Sequence, residues 1–287
     1  MESFVYSVRN LQCSYNQVEI VLRINSLNIP PNKVVFVVGP SGIGKSTLLE
    51  TLGLMNDTIS NPETSTILFK PLDGKQLEFS KIWSSSDKEL ATLRSKHFSF
   101  IFQDNNLMPG LTAGQNLCTK LLIQGKSMEE ARQVALPFMS RLDLEEDLFD
   151  RKVFELSGGQ RQRLAFLRAF LGEYHVLFGD EPTGNLDELT ALKLMTMLCE
   201  SIRTQSNTCA IIVSHDLPLA MRFADMIIPI VPKIDEKNPD KKSGLIDMNY
   251  VIVRSGITWT VSDNLRIENL EDHLQQLLSG KIRSVAL

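Results

Sequence analysis

The stretch "VVFVVGPSGIGKSTLLE", residues 34–50, decides the fold. Val34 to Val38 are all β-branched or aromatic, which reads as a strand buried on both faces, as parallel strands are. The strand runs into Gly39-x-x-x-x-Gly44-Lys45-Ser46 and then into the apolar helical spacing of Leu48 and Leu49. Strand, glycine loop and helix in that order form a phosphate-binding loop. Gly42 and Gly44 permit backbone angles that turn successive N–H groups inward, and the helix N-terminus adds partial positive charge. Pro40, Ser41 and Ile43 complete the loop backbone. Lys45 is long enough to reach the β- and γ-phosphates of a nucleotide, the Ser46 hydroxyl can bind Mg²⁺, and Thr47 continues the cradle towards the α-phosphate. The motif implies a nucleoside triphosphate and leaves the reaction open.

A second apolar strand, "HVLFGDEPTGNLD" (residues 175–187), ends in two acids. In a fold with such a loop, Asp180 closing this strand lies beside the nucleotide and holds Mg²⁺ through water. Glu181 then stands where it can polarise an attacking water, a task needing position and modest base strength. Upstream, "LSGGQRQR" (residues 156–163) has two glycines, long polar side chains and one hydroxyl, with no metal cluster and no acid–base pair. Ser157 followed by Gly158 and Gly159 opens the helical stretch "GQRQRLAFLRAF", and such a helix start is an anion site in its own right.

Together "LSGGQRQR" and "VLFGDEPTGNLD" resemble the signature motif and acidic strand of ABC-type ATPases. Other elements of that family follow in order. Tyr15, 24 residues before Gly39, is similar to its adenine-stacking aromatic. Gln103 in "FIFQDNNLMPGLT" matches the Q-loop glutamine, Leu186 and Asp187 match the D-loop, and His215 in "AIIVSHD" matches the switch histidine. The resemblance covers about residues 1–230 and implies an α/β P-loop core with an antiparallel β subdomain and a helical subdomain, about residues 104–165. It further implies ATP hydrolysis with Mg²⁺ held by Ser46, Asp180 and Gln103, the last as a hinge ligand. Two copies sandwich ATP head to tail, so that Ser157, Gly158, Gly159 and Gln160 of one copy face the γ-phosphate held by the other. His215 then donates a hydrogen bond to that phosphate. A separate integral membrane permease is the expected partner. The neighbourhoods of Gln103 and Asp187 are similar to ATPases of lipoprotein release, macrolide export, antimicrobial-peptide resistance and cell division. Gln115, where that subgroup carries glutamate, and the polar stretch from Asn61 to Ser86 depart from its pattern. A module whose ATP cycle signals through a membrane protein, and a non-membrane ABC ATPase, stay open as alternatives.

Composition narrows the setting. At roughly 150 residues per domain, a chain of 287 residues holds one large domain and an extra part, or two domains. A net charge of −4 argues against coating nucleic acid or anionic lipid. No apolar run approaches the ~20 residues that cross a bilayer, and no secretory signal opens the sequence. Cys13, Cys118, Cys199 and Cys209 show no close spacing, which suggests reduced thiols. These readings point to a cytoplasmic protein, and the resemblance implies a peripheral place on the membrane's inner face through the permease partner.

The remaining sequence divides by period. Residues 1–35 read as short strands with turns, and residues 87–96 and 112–150 as mainly helical. Ser127 and Glu130 form a capping box ahead of an apolar face of Ala131, Val134, Ala135, Phe138, Met139 and Leu142, which Pro137 should kink. After Asp187 a helix buries Ala191, Leu194, Met195, Leu198 and Ile202. Arg161 and Arg163 suit salt bridges as well as phosphate, and His97, His175 and His273 read as structural. Residues 231–287 form a strand-and-helix extension: "PKIDEKNPDKKSG" as a loop or hairpin tip, "YVIVRSGITWTV" as strand, and Leu270, Leu274, Leu277 and Leu278 as a helical stripe ending at Gly280. It either packs on the ATPase as an appendage or acts as a docking or dimer-stabilising tail.

Overall fold

Alternating burial along residues 6–29 comes from an antiparallel pair, β1 (Tyr6–Cys13) and β2 (Leu22–Ile29), with Tyr6 opposite Ile29. In this computed structural model residues 3–16, 19–71, 75–184, 186–205, 208–234, 242–261 and 265–280 are described. The glycine loop joins β3 (Lys33–Val38) to α1 (Lys45–Leu52). β4 (Thr66–Phe69) and β5 (Leu77–Glu78) follow, from the polar stretch that departs from the family pattern. That stretch nevertheless supplies buried Ile67, Phe69 and Phe79. α2 (Asp87–His97) leads into β6 (Phe98–Ile101), and α3 (Ala113–Ile123), α4 (Met128–Arg141) and α5 (Gly158–Phe170) pack together as a helical layer. The chain returns through β7 (Val176–Asp180), α6 (Glu188–Thr204), β8 (Cys209–Val213), α7 (Leu217–Phe223) and β9 (Met226–Pro229).

Beyond residue 230 come β10 (Val231–Ile234), β11 (Lys242–Ile246), β12 (Ile252–Ser255), β13 (Thr258–Val261), β14 (Leu265–Ile267) and α8 (Leu270–Leu278). These strands continue both sheets. The larger has the order β14-β13-β12-β9-β3-β8-β7-β6, parallel from β9 to β6 and antiparallel from β9 outward to β14. The smaller has the order β10-β11-β2-β1-β4-β5, with β10 and β11 antiparallel and β11 parallel to β2. "PKIDEKNPDKKSG" therefore forms the arms of a hairpin, and residues 235–241 at its centre lie outside the described residues.

β3 shows why its sequence is continuously apolar. Val34, Phe36 and Val38 point into a core shared with α3 to α8, and Val35 and Val37 into a second core shared with α1 and the smaller sheet. Burial on both faces removes the alternation that a half-exposed strand keeps. The helix starts follow the sequence. Ser127–Glu130 closes the expected capping box, as do Ser157–Gln160 and Thr112–Gln115. Glutamine at position 115 closes its box as glutamate would, because its Oε1 accepts from the Thr112 N–H at 2.9 Å. In α4 Ala131, Ala135 and Met139 are buried, and Leu142 follows buried at the C-cap. Val134 is exposed, at the margin of the stripe. α4 is one helix through Pro137. All five apolar residues expected on α6 are buried, and α8 buries Leu270, Leu274 and Leu277. The four cysteines are buried and free.

Candidate functional site

The glycine loop is wound as its sequence requires. Gly42 has φ +71° and Gly44 φ +104°, both in the left-handed region that side chains avoid. Gly44 also lacks room, since a Cβ there would lie 3.2 Å from Leu22 Cβ and 3.4 Å from the Val21 carbonyl oxygen. Lys45 curls back over the loop, its Nζ donating to the Gly39 and Pro40 carbonyls at 2.9 Å each. Ile43 turns inward and is buried in the core beneath the loop, which anchors the loop to the sheet.

An open cleft of about 730 Å³ lies over this loop. Ser41, Gly42, Gly44, Lys45, Ser46 and Thr47 line one wall, and Tyr15 stands at the edge. The far wall brings Gln103, Asp180, Glu181 and His215 from three different strand ends. Tyr15 is more than half exposed, and its hydroxyl donates to Glu50 Oε2 at 2.6 Å and meets Thr47 Oγ1 at 3.1 Å. Burial and the Glu50 carboxylate push its phenol up to about 12, so it stays neutral and can serve as an apolar platform.

At the centre, Ser46 Oγ donates to Asp180 Oδ2 at 2.9 Å. Burial raises the Asp180 carboxyl above its ordinary range, against the lowering effect of the Ser46 bond. Burial likewise lowers the Lys45 ammonium, while the charges of Glu181 and Asp180 act to raise it. Opposite charges thus share one partly dry cleft, where each is stronger than in water. Glu181 is held at φ +48°, a left-handed conformation costly for a glutamate and typical of functional positions. Its Oε2 lies 2.8 Å from His215 Nδ1, with the carboxylate 14% exposed and the imidazole 73% exposed. The acid is therefore sheltered and the ring reaches solvent.

Some expected residues lie elsewhere. Gly39, Pro40 and Ile43 shape the loop without lining the cleft. Ser157, Gly158, Gly159 and Gln160 start α5, and Asp187 caps α6 by accepting from the Thr190 N–H at 3.0 Å. None of these five lines the cleft of its own chain. Among the described residues a Cβ at Gly158 or Gly159 would meet nothing within 4 Å, and neither has positive φ, so no described neighbour demands glycine there. Sequence reasoning passed over Val21 and Gly184, both on the cleft. Val21 is placed by its N–H donating to the Cys13 carbonyl at 2.9 Å, a pairing no local pattern announces. His97 and His175 sit apart, their Nδ1 atoms 3.1 Å from each other beside the Phe69 ring.

Comparison with known proteins agrees with this geometry. The ABC transporter family model matches residues 22–184. The lipoprotein-releasing system ATP-binding protein LolD of Legionella pneumophila (strain Paris) is 32% identical over 232 residues, covering 79% of this chain and 96% of that protein. LolD of Pseudomonas syringae pv. tomato is 37% identical over 222 residues, covering 76% and 92%. Among solved structures, a dimeric bacterial ABC transporter cassette superposes with a TM-score of 0.66 at 32% identity, over 78% of this chain and 93% of that one. A post-hydrolysis dimer of that cassette, bound to ADP and Pi, gives 0.64 at 27% identity, covering 83% of this chain and 98% of that one. With its phosphate loop, acidic strand end and histidine gathered in one cleft, this chain belongs to the ABC transporter family as an ATP-binding subunit.

Proposed function

We propose that this chain hydrolyses ATP as the paired ATP-binding subunit of an ABC transporter, driving a separate membrane permease. Residues 1–230 are read as the ATPase unit and 231–287 as an extension of it. One observation carries the catalytic part: a glycine loop, two strand-end acids and an exposed histidine meet in one cleft, and a helix start rich in glycine does not.

Within the cleft the loop N–H groups and Lys45 bind the phosphates, and Tyr15 supports the base. The residues fit a divalent ion, because the Ser46 hydroxyl and the Asp180 carboxylate already meet and Gln103 lines the same space. Ser46, Asp180 and Gln103 would hold Mg²⁺, which when bound supplies positive charge to the β- and γ-phosphates. Glu181 orients the attacking water and accepts its proton, and its sheltered, strained position keeps it aimed. His215 positions Glu181 at one nitrogen and, from its exposed side, can donate to the γ-phosphate.

The pairing rests on Gly158 and Gly159. They answer to no neighbour among the described residues, which suits small residues that serve something approaching from outside. A second copy bringing ATP to the start of α5 supplies it. Phe154 and Leu189, near Ser157 and Asp187 in sequence, are 71% and 66% exposed and suit burial by that copy. No helix among the described residues is long and apolar enough to cross a membrane. The nearby groove lined by Phe100, Phe102, Met108 and Ile123 is apolar and adjoins Gln103, which suits a permease segment. The chain then sits on the cytoplasmic face through that partner. The LolD relatives support lipoprotein release as the process served.

Replacing Glu181 by Gln tests the centre of this reading. The variant should bind ATP, lose turnover by about 100-fold or more, and run as a dimer in ATP on size exclusion. Parent-like hydrolysis by Glu181→Gln would remove Glu181 as the base.

A further inference from the structure

His215 stands immediately before a very short helix. Asp216 caps α7 by accepting from the Leu219 N–H at 2.8 Å, and its own N–H donates to Ser214 Oγ at 3.0 Å. These two bonds tie the start of α7 to the residues on both sides of His215. A helix this short is not held by its own hydrogen bonds, and its last carbonyls have no partner within it.

Those carbonyls are taken by a side chain from the C-terminal extension. Arg254, on β12, donates through Nε to the Ala224 carbonyl at 2.7 Å, and through Nη2 to the carbonyls of Met221 at 2.5 Å and Arg222 at 3.3 Å. A guanidinium suits the task, having several N–H groups in a rigid fork and a charge that complements the negative end of a helix. Its own position is fixed twice. Its face lies 4.3 Å from the centroid of the Trp259 ring on β13, and its backbone N–H donates to the Asp225 carbonyl at 2.9 Å. Asp225 is tied to the phosphate-loop strand, accepting from the Val34 N–H at 3.0 Å through Oδ2 and donating its own N–H to the Val34 carbonyl at 2.8 Å. Trp259 is buried in the same core as Leu219, Ala220 and Ala224. A continuous run of contacts thus leads from the extension through α7 to the 2.8 Å contact between His215 and Glu181.

Resting on the ATPase reading above, we infer that Arg254 is a positioning residue for ATP hydrolysis: by binding the carbonyl end of α7 to the outer strands of the sheet, it aims His215 at Glu181 and at the phosphate. Arg254 touches no reacting atom. Losing it lets α7 pivot about its capped start, which degrades the geometry of turnover more than the binding of nucleotide.

The test is steady-state ATP hydrolysis by the full chain, measured well below each variant's melting midpoint. Arg254→Ala should lower kcat by about three- to tenfold with KM for ATP changed by less than about twofold. Arg254→Lys, which keeps the charge and one carbonyl contact, should recover part of the loss. Should the alanine variant fail to fold, Arg254→Lys and Trp259→Leu carry the same comparison. In a His215→Ala background, Arg254→Ala should cost less than about twofold more, because the group it positions is gone. A purely structural role would give the same loss in both backgrounds. An additive cycle, or Arg254→Ala turning over like the parent, overturns the inference. A parent that does not hydrolyse ATP at all overturns instead the ATPase reading on which it rests.

Discussion

Lys120 shows how far a residue's chemistry depends on what the fold puts around it. Its Nζ donates to the Phe98 carbonyl at 2.9 Å and lies 5.1 Å from the centroid of the Tyr174 ring, at the base of the apolar groove. Burial pulls its amine from 10.5 down to about 7. Between those values the folded protein binds fewer protons than the unfolded chain, so folding stability gains from this residue as pH rises from about 7 towards 10.5. Two pH units in that window are worth at most about 2–3 kcal/mol. Lys120→Met should flatten the dependence, with a smaller rise in stability between pH 7 and pH 9 on urea titration; slopes equal to the parent's would contradict it. Nothing in the local sequence marks Lys120, because the strand and tyrosine that enclose it come from distant segments. Lys45, Ser46, Asp180 and Glu181 could be placed in one cleft for the opposite reason. Their positions follow from adjacent backbone: a glycine loop before a helix, and the end of a buried strand.

At the scale of elements, the helices were readable from period and caps, and the partners of the strands were not. Alternation in "YVIVRSGITWTV" says strand, yet β12 and β13 lengthen the eight-stranded sheet while β10 and β11 join the six-stranded one. Such pairing depends on contacts far apart in sequence, which a local pattern cannot encode. One consequence falls on the phosphate loop. Gly244 of β11 lies opposite Leu22, its N–H donates to the Val21 carbonyl at 2.8 Å, and a Cβ on it would overlap the Ile43 carbonyl oxygen. The hairpin of the extension is therefore pressed against the back of the loop that binds phosphate. Gly244→Ala must push that backbone, at the roughly 1–3 kcal/mol of stability typical of overpacking, and a loop displaced by it should hold phosphate less well. Titration with ATP should show weaker binding and a smaller change in kcat; an unchanged Kd would mean that the hairpin yields and the loop does not.

At the scale of the whole molecule, the proposed pairing makes the cleft one half of a site whose other half is the start of α5 on a second copy. Ser157 heads α5, its Oγ accepting from the Gln160 N–H at 3.2 Å while Gln160 Oε1 accepts from the Ser157 N–H at 2.9 Å. This box holds the helix start ready, with its remaining N–H groups and the two glycines outward. A bulky cation at position 157 would leave the chain's own cleft untouched, since Ser157 lines none of it. In the proposed pairing it would, however, fill the space into which the partner's phosphate is brought. Ser157→Arg should accordingly bind ATP as the parent does in equilibrium titration, lose turnover by about 100-fold, and fail to dimerise in ATP when combined with Glu181→Gln. Lys45→Ala should do the reverse at the first step, losing ATP binding itself. The contrast separates a shared pocket from a self-sufficient one: if Ser157→Arg hydrolyses ATP at the parent's rate, α5 of one copy does not serve the nucleotide of another, and each chain works alone.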